Sequence, residues 1–351
     1  MQDLFIEAGR LIQKSQKILC ISSKKPDGDS VGSVSALCQV LKGMGKQVQI
    51  ACADPIPERY NFLPELSQTI SEFNYHDYDL MIVCDAAASY MVKYPQIYPG
   101  IFSGEVPVIN LDHHVSNDNY GTLNIVDVRS ASTTILIYKM LVTLGIKISP
   151  NCATALLCGV YYDTGSLMHG NTTLEVFEIT GKLVELGAKV NLVSRNLFGN
   201  TSINTLKVWG KVLERLTLND EGVVVSVITE KDFREIGAKS DDLSGIVDFM
   251  NAVPGSKFTV LINEDEKGNV KGSFRTRRDD VDLSELAAHF GGGGHKKASG
   301  FTMPGRIHQE VRWKVLPNNA PVEVLEKKNS SNQPSQLLGN ILQIPEVKME
   351  A

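Results

Sequence analysis

The first half of the chain alternates short apolar runs with segments of helical periodicity, and this alternation restricts the possible folds more than any other feature. Apolar runs typical of buried strands occur at residues 17–22, 47–52, 80–84 and 106–111. Helical patterns occur at about residues 31–44, 132–144, 152–162 and 174–187. Strands that alternate with helices predict an α/β fold, a doubly wound and mainly parallel sheet with helices on both faces.

The second half predicts a separate, smaller α/β domain. Residues 257–262 and 270–276 have the pattern of a hairpin, and a short helix at 283–290 leads into four glycines. A length of 351 residues is sufficient for two domains. We predict a first domain at 1–188, a linker at 189–205, a second domain at 206–313 and a disordered tail at 314–351.

Composition limits the location and the partners of the chain. No apolar stretch reaches the roughly 18 residues that a membrane span needs, so we expect a cytoplasmic protein without membrane contact. The six cysteines form no C-x-x-C pair and are predicted to be buried free thiols. A net charge of −5 argues against binding to long duplex DNA. Basic clusters at 24–25, 275–278 and 296–297 instead favour a small anionic substrate.

Acidic residues follow the predicted strands at the points where the strands end. Asp27 and Asp29 follow the first strand, Asp85 follows the third, and Asp112-His113-His114 follows the fourth. A further acidic residue, Asp163, ends a helical segment. Any one of these residues could be an ordinary helix cap or turn residue. Because ligands bind at the carboxyl ends of parallel strands, the set as a whole predicts one site at this edge.

Several carboxylates that converge with two imidazoles would repel one another unless cations neutralise them. Such donors suit hard or borderline divalent ions, and we predict Mn²⁺ or Mg²⁺. Two ions held side by side could clamp the attacking and leaving oxygens of a phosphoryl displacement. The sequence therefore predicts metal-dependent hydrolysis of a phosphate ester.

A second signal is the run of four glycines that immediately precedes His295. Glycines such as Gly292, Gly293 and Gly294 allow backbone N–H groups to approach an anion closely. A flexible turn would explain the glycines alone, but Arg275 lies upstream on a predicted strand. We therefore predict that Arg275, the glycines and His295 bind the phosphate of a substrate.

Taken together, these motifs resemble the DHH phosphoesterase family. The segment 26–33 is similar to the first family motif, Asp85 to the second, Asp112-His113-His114 to the signature triplet and Asp163-Thr164-Gly165 to the fourth. Residues 273–275 and 291–300 resemble the DHH-associated C-terminal domain. In length and domain pair the chain most resembles the group of bifunctional oligoribonucleases and 3'-phosphoadenosine-5'-phosphate phosphatases.

The resemblance implies a role for each matching residue. Asp27 and Asp85 would bind one metal ion, and Asp29, Asp85, His113 and Asp163 would bind the other. His114 would lie near the scissile phosphate, and Asp112 would orient His113 or the adjacent site. Arg275, the glycines and His295 would hold the other phosphate of the substrate or its terminal nucleotide.

The chain departs from the family pattern at two places. The family usually has a histidine four residues before Asp27, and this position is Ser23. We therefore predict two metal ions, one of them weakly bound. The fourth motif continues as residues 166–171 without the usual aromatic residue and arginine, which changes the expected substrate contacts.

Three functions are compatible with these features. The first is hydrolysis of small nucleotides or very short single-stranded RNA by metal-activated water. A second is a non-catalytic nucleotide-binding protein whose metal site is impaired at Ser23. A third, a processive exonuclease, would need a long basic channel that an acidic chain does not suggest. The sequence also leaves a homodimer open.

Overall fold

The computed structural model describes residues 1–199 and 201–308, and the chain divides into two compact units, Met1–Asn200 and Thr201–Ala351. The division falls inside the segment predicted as a linker. That segment is largely helical, because it contains a helix at Val190–Phe198 and the start of another at Ile203–Glu214. The tail predicted at 314–351 lies outside the described residues.

Across residues 1–199, the first unit contains five strands and seven α-helices. The strands are β1 (Lys17–Ser22), β2 (Gln47–Ala51), β3 (Leu80–Cys84), β4 (Val108–Asp112) and β5 (Leu123–Val126). The helices are α1 (Gln2–Lys14), α2 (Gly28–Gly43), α3 (Tyr94–Ile97), α4 (Thr133–Thr143), α5 (Pro150–Asp163), α6 (Leu174–Glu185) and α7 (Val190–Phe198). Short 3₁₀-helices occur at Glu58–Tyr60, Pro64–Gln68, Tyr75–Asp77 and Ser89–Val92.

The five strands form one parallel sheet in the order β2-β1-β3-β4-β5. Alternate side chains of β1 and β3 enter two different apolar clusters, so both faces of the sheet are buried. One face packs against α1, α2 and α4; α5 packs on α2, and α6 and α7 pack on α5. The other is covered by the segment between β3 and β4, which contains α3 and short helical turns. This architecture confirms the predicted fold class.

Local sequence explains where the helices begin. The Asp27 side chain accepts hydrogen bonds from the backbone N–H groups of Asp29 and Ser30 and so caps α2. Ser132 caps α4 and Ser149 caps α5, where Pro150 occupies the first turn. These caps fix the positions of the three helices that carry or contact the acidic residues.

The second unit contains six strands and four α-helices among its described residues. The strands are β6 (Thr217–Leu218), β7 (Val223–Ile228), β8 (Phe258–Glu264), β9 (Asn269–Arg275), β10 (Gly293–His295) and β11 (Ala298–Pro304). The helices are α8 (Ile203–Glu214), α9 (Glu230–Ile236), α10 (Ile246–Met250) and α11 (Leu283–Ala288), with a 3₁₀-helix at Ser240–Leu243. The sheet order is β10-β11-β9-β8-β7-β6.

Among the described strands of this second sheet, β7 and β8 are parallel and the other neighbouring pairs are antiparallel. The predicted hairpin is present as β8 and β9. Helix α11 packs with Phe274, Phe290 and Phe301 on one face of the sheet. Helices α8 to α10 contribute to a separate apolar cluster that includes Val224 and Leu261.

Candidate metal centre and phosphate-binding loop

Three parallel strands carry acidic residues to the same edge of the first sheet. Asp29 lies in the first turn of α2, directly after β1, and Asp85 follows β3. Asp112 is the last residue of β4, and His113 and His114 follow it. Asp163 is the last residue of α5. Topology thus places all these motifs at the carboxyl edge, as expected for an α/β sheet.

His113 lies at the centre of this group. Its Nε2 atom is 3.2 Å from Asp163 Oδ2, 3.7 Å from Asp85 Oδ1 and 4.0 Å from Asp29 Oδ2. On the other side of the ring, Nδ1 is 3.2 Å from the carbonyl oxygen of Ser130, which fixes the ring orientation. Four of the five residues predicted as metal ligands therefore meet around one imidazole nitrogen.

Two sets of donor atoms have the spacing of a metal site. One consists of Asp29, His113 and Asp163, and the other of Asp85, His113 and His114, with the donor atoms of each set within 4.8 Å of one another. Both sets combine carboxylate oxygen with imidazole nitrogen, a combination that Mn²⁺-like ions accept. The site can therefore hold a divalent metal.

Asp27 has a different environment from the other predicted ligands. One of its carboxylate oxygens accepts hydrogen bonds from Asp29 N at 3.1 Å and from Ser30 N at 3.0 Å. It belongs to neither donor set found among residues 1–199 and 201–308. Ser23, which occupies the position of the family histidine, is buried after β1, and its carbonyl oxygen accepts a hydrogen bond from Cys52 Sγ. A metal ligand role for Asp27 remains a prediction.

The first turn of α4 holds two of the carboxylates in place. Asp29 Oδ2 accepts a hydrogen bond from Thr133 N at 2.6 Å, and Asp29 Oδ1 accepts from Thr134 N at 3.0 Å and Thr134 Oγ1 at 2.9 Å. The Thr133 hydroxyl donates to Asp85 Oδ1 at 3.1 Å. Sequence reasoning missed both threonines. The signal was the Ser132-Thr133-Thr134 cluster at a helix start, but its partners Asp85 and Asp29 are 48 to 105 residues away in the chain.

Close packing of α5 against the site depends on Gly159. A Cβ atom at this position would lie 2.3 Å from Asp29 Oδ1 and 2.4 Å from Thr134 Oγ1. Any side chain there would displace the carboxylate or the threonine that orients it. Gly159 thus allows α5 to approach closely enough to place Asp163 beside His113.

The carboxylates of this site are buried and repel one another, so their charged forms are unfavourable without a cation. Burial is the largest cause of a raised pKa for Asp85 and Asp163, and the charges of Asp29 and Asp27 raise both further. Burial also raises the pKa of Asp27, against the hydrogen bond from Ser30 N. Asp163 Oδ2 is buried and makes no hydrogen bond within the described part of the chain. A buried carboxylate oxygen without a hydrogen bond is a suitable ligand for a divalent metal ion.

Asp112 orients the second histidine of the triplet. Its Oδ1 atom is 2.7 Å from His114 Nδ1 and accepts a hydrogen bond from His113 N at 2.8 Å, while Oδ2 accepts from Asn117 Nδ2. Burial alone would raise the pKa of Asp112, but the contacts with His114 and Asn117 lower it overall. The hydrogen bond with Asp112 in turn raises the pKa of His114. The side chain of Asp112 thus contacts His114 and not the ring of His113.

Replacing Asp112 with alanine is expected to lower kcat/KM by about 10–100-fold, the usual loss when a residue that orients a catalytic group is removed. The variant should keep its affinity for the ion predicted at Asp29, Asp85, His113 and Asp163, because the Asp112 carboxylate contacts none of those side chains. Calorimetric metal titration and steady-state kinetics measure the two effects separately. Asp118→Ala, an exposed aspartate on the loop that follows β4, is the matched control. Loss of metal binding in Asp112→Ala would contradict this assignment.

The segment after Asp163 contributes hydrogen bonds to the main chain of that residue. His169 is exposed, and its Nδ1 atom is 3.2 Å from the carbonyl oxygen of Asp163. Asn171 Nδ2 donates to the same oxygen at 3.3 Å. His169 is not part of a donor set formed by the residues that the structure describes. These contacts support the turn that ends α5.

In the second unit, Arg275 and His295 lie in one row across three strands. Arg275 on β9 pairs with Ala298 on β11, and Ala298 pairs with His295 on β10. Directly paired residues have their side chains on the same face, so Arg275 and His295 share a face with the small Ala298 between them. Arg275 Nε lies 3.4 Å from Asp248 Oδ1 of α10, a partly exposed pair.

The glycines before His295 have an additional steric function. A Cβ atom at Gly292 would lie 2.2 Å from the carbonyl oxygen of Gly300, and one at Gly294 would lie 2.6 Å from Ser299 Cα. Both glycines therefore allow the β10 segment to lie against β11. Gly293 is exposed, and a Cβ there would meet nothing within 4 Å. Phosphate binding by these glycines remains a prediction.

Comparison with known proteins agrees with these features. The family model for the DHH family, N-terminal domain, matches residues 17–160, and the DHHA1 domain model matches residues 220–315. A protein of Thermus thermophilus named bifunctional oligoribonuclease and PAP phosphatase NrnA is 33% identical over 83% of this chain and 85% of its own length. The chain belongs to the DHH family. The predicted family resemblance is thereby confirmed.

Other members of the DHH family align over most of their length. The Bacillus subtilis protein named bifunctional oligoribonuclease and PAP phosphatase NrnA is 26% identical over 84% of this chain and 91% of its own. The crystal structure of an exopolyphosphatase-related protein from Bacteroides fragilis superimposes with a TM-score of 0.81 at 22% identity, covering 87% and 92% of the two chains. At that identity the likeness supports the fold alone. None of the helices among the described residues is long and apolar enough to cross a membrane.

Proposed function

We propose that this DHH-family chain is a metal-dependent phosphoesterase that hydrolyses small nucleotides or very short RNA. Its enzyme class, a hydrolase of phosphoester bonds, follows from the family and from the names of its relatives. The substrates we propose are adenosine 3',5'-bisphosphate and short oligoribonucleotides, the kinds that those relatives' names specify. The observation that carries the proposal is the set of three carboxylates around His113 Nε2.

We assign the metal ligands from geometry and family resemblance together. Asp29, Asp85, His113 and Asp163 would hold one ion, and Asp27 and Asp85 would hold a second, weaker one, with Mn²⁺ or Mg²⁺ as the metal. When bound, such ions lower the pKa of a coordinated water and neutralise charge on the phosphate. The chain itself orients the ligands, through Thr133 and Thr134 for the carboxylates and Ser130 for His113.

His114 is the residue we assign to contact with the scissile phosphate. Its Nδ1 atom is held by Asp112, whose carboxylate raises the pKa of the imidazole. The ring therefore keeps a proton further into the neutral pH range than an isolated histidine does. A positive charge at this partly exposed position would attract the anionic ester and stabilise charge on its oxygens.

The second unit supplies the residues that we assign to substrate binding. Arg275 can form two parallel hydrogen bonds to a phosphate, and His295 lies on the same face of the sheet. The exposed backbone at Gly293 and the neighbouring Gly292 and Gly294 permit close approach of an anion. These groups would hold a phosphate or nucleotide of the substrate other than the one that is hydrolysed.

Ser23 makes the second metal position a sensitive test. A neutral imidazole is a good ligand for Mn²⁺-like ions and a serine hydroxyl is a poor one, so the ion beside Asp27 should bind weakly. We expect manganese titration of the wild type to find one tight and one weak site, and Ser23→His to tighten the weak site and raise activity at limiting metal. Ser22→His, at the preceding buried position, controls for the effect of a new imidazole. Two equally tight sites in the wild type would refute the assignment.

A substrate panel tests the proposed specificity. The full chain would be assayed with adenosine 3',5'-bisphosphate, dinucleotides, longer RNA and duplex DNA, each with Mn²⁺ and with Mg²⁺. We expect turnover of the bisphosphate and the shortest RNAs and none of the duplex. Preference for long RNA or duplex DNA would favour the function of a processive exonuclease instead.

A further inference from the structure

On one face of the second sheet, the part formed by β9 and β11 is polar and partly exposed beyond the row that contains Arg275 and His295. Side chains of β9 alternate between buried and partly exposed positions, with Lys271, Ser273 and Arg275 on the partly exposed face. The buried alternates, among them Phe274, pack on the opposite face with α11. The pairing register extends the open face across β11 to Gly300 and Thr302, which pair with Ser273 and Lys271.

These residues form three successive rows. The first contains Arg275, Ala298 and His295, the second Ser273, Gly300 and Gly293, and the third Lys271 and Thr302. Because a strand rises about 3.4 Å per residue, neighbouring rows are about 7 Å apart. This spacing is comparable with the distance between successive phosphates in an extended single strand. The first and third rows each have a basic residue, and the middle row has only small side chains.

A depression lies beside the second and third rows. It has a volume of about 470 Å³ and includes Lys271, Ser273, Thr302 and the glycine segment at Gly291 and Gly292 in its lining. Ser273 in this lining is partly exposed and Thr302 is exposed. The small middle row thus leaves room for a sugar or a base between two positive charges.

Lys271 is only loosely held by its acidic neighbour. Its Nζ atom is 3.8 Å from Asp265 Oδ2, beyond hydrogen-bond distance, and its side chain is 39% exposed. Asp265 already accepts hydrogen bonds from the backbone N–H groups of Lys267 and Asn269. The ammonium group can therefore turn towards a phosphate without leaving the carboxylate unsatisfied.

We infer that this open face is a binding subsite for an additional nucleotide of a short RNA, with Lys271 as the phosphate contact. The inference rests on the proposed function, because it takes Arg275 as the residue that binds the first phosphate. Lys271 lies about 14 Å along the strand from Arg275, the reach of two nucleotide steps. An adenosine bisphosphate held at Arg275 is too short to reach Lys271, whereas a trinucleotide with a 5'-phosphate has the three successive phosphates that two steps need. Lys271 therefore determines how efficiently longer substrates are used.

The test compares Lys271→Gln with wild-type full chain on adenosine 3',5'-bisphosphate and on diadenylate and triadenylate that carry a 5'-phosphate. Loss of one charge-assisted phosphate contact is expected to lower kcat/KM for the trinucleotide by about tenfold and to change that for the bisphosphate by less than about twofold. Thr302→Glu, which adds a negative charge to the same row, should have the same selective effect. Lys271→Arg should restore trinucleotide hydrolysis, and Lys267→Gln, in the exposed turn before β9, is the matched control.

Binding measurements separate failure of this subsite from failure of the proposed function. Fluorescence anisotropy with labelled triadenylate in EDTA reports affinity without hydrolysis, and Lys271→Gln should weaken it by about tenfold and reduce its salt dependence. Equal losses on every substrate, or unchanged trinucleotide binding and hydrolysis, would overturn the inference. If the wild type hydrolysed no substrate, the proposed function would fail, and the anisotropy comparison would still decide whether Lys271 binds RNA.

Discussion

Asp85→Ala is expected to lower kcat by at least about 1,000-fold, which corresponds to a loss of about 4 kcal/mol of transition-state stabilisation. Asp85 follows β3 directly, with a positive φ of 58°, and lies 3.7 Å from both His113 Nε2 and His114 Nδ1. It is the one carboxylate that we assign to both metal ions. Asp29 and Asp163 belong to the other donor set of the described residues, so we expect neither of them to replace Asp85 as a ligand shared by two ions.

Steady-state hydrolysis of adenosine 3',5'-bisphosphate at saturating manganese measures this effect. Asp77→Ala, an exposed aspartate before β3, is the matched control and should keep full activity. Retention of more than a few per cent of the wild-type rate by Asp85→Ala would contradict the assignment of Asp85 as a shared ligand.

The conservative variant Asp85→Asn separates loss of chemistry from loss of folding. Burial, followed by the charge of Asp29, raises the pKa of Asp85 in the folded state. A raised pKa means that protonation of Asp85 favours folding fully below its unfolded value of about 3.9, and this contribution is lost as pH rises through the folded pKa. In metal-free protein, Asp85→Asn should therefore melt at a higher temperature than the wild type at pH 7. The difference should shrink towards pH 4, as thermal melts in EDTA can measure.

A fragment of residues 1–199 is expected to fold and to bind metal, yet to lose at least about 1,000-fold in kcat/KM. It retains all the residues that we assign as metal ligands, whereas Arg275 and His295 are absent. The fragment has to include α7, since Val193 of that helix is buried in the core of the first unit. Circular dichroism, calorimetric metal titration and hydrolysis assays on the same sample measure the three properties.

A shorter fragment of residues 1–189 is the structural control. It removes α7 and exposes the core around Val193, so it should melt at a lower temperature than the 1–199 fragment. In the full chain, His295→Ala should raise KM more than it lowers kcat. Near-normal hydrolysis of the bisphosphate by the 1–199 fragment would show that the second unit is not needed for this substrate.

Much of the first unit could be predicted from local sequence. The strands β1, β3 and β4 are continuous apolar runs, and each is followed by an acidic residue, so their common edge follows from parallel topology. Strand β5 was not predicted, because it has four residues and only Ile125 is buried. Helix α1 was also missed, although Phe5, Ala8 and Ile12 form an amphipathic pattern. The segment 189–205, predicted as a linker, instead contains α7 and the start of α8.

The site itself was only partly accessible to sequence reasoning. The clustering of Asp29, Asp85, His113 and Asp163 was predicted, since each is placed by its own strand or helix end. The hydrogen bonds from Thr133 and Thr134 to Asp85 and Asp29 were not predicted, because they join residues 48 to 105 positions apart in the chain. Asp112 was predicted to orient His113 or the adjacent site, and the geometry places its carboxylate against His114 instead.

The most direct test of the account is metal-dependent release of phosphate from adenosine 3',5'-bisphosphate by the purified full chain. The protein would be stripped with EDTA, dialysed and titrated with Mn²⁺ while binding and turnover are measured on the same preparation. We predict no turnover in the stripped protein, and recovery that follows occupancy of the site around His113. Full turnover without metal, or metal binding without turnover of this substrate or any short RNA, would contradict the account.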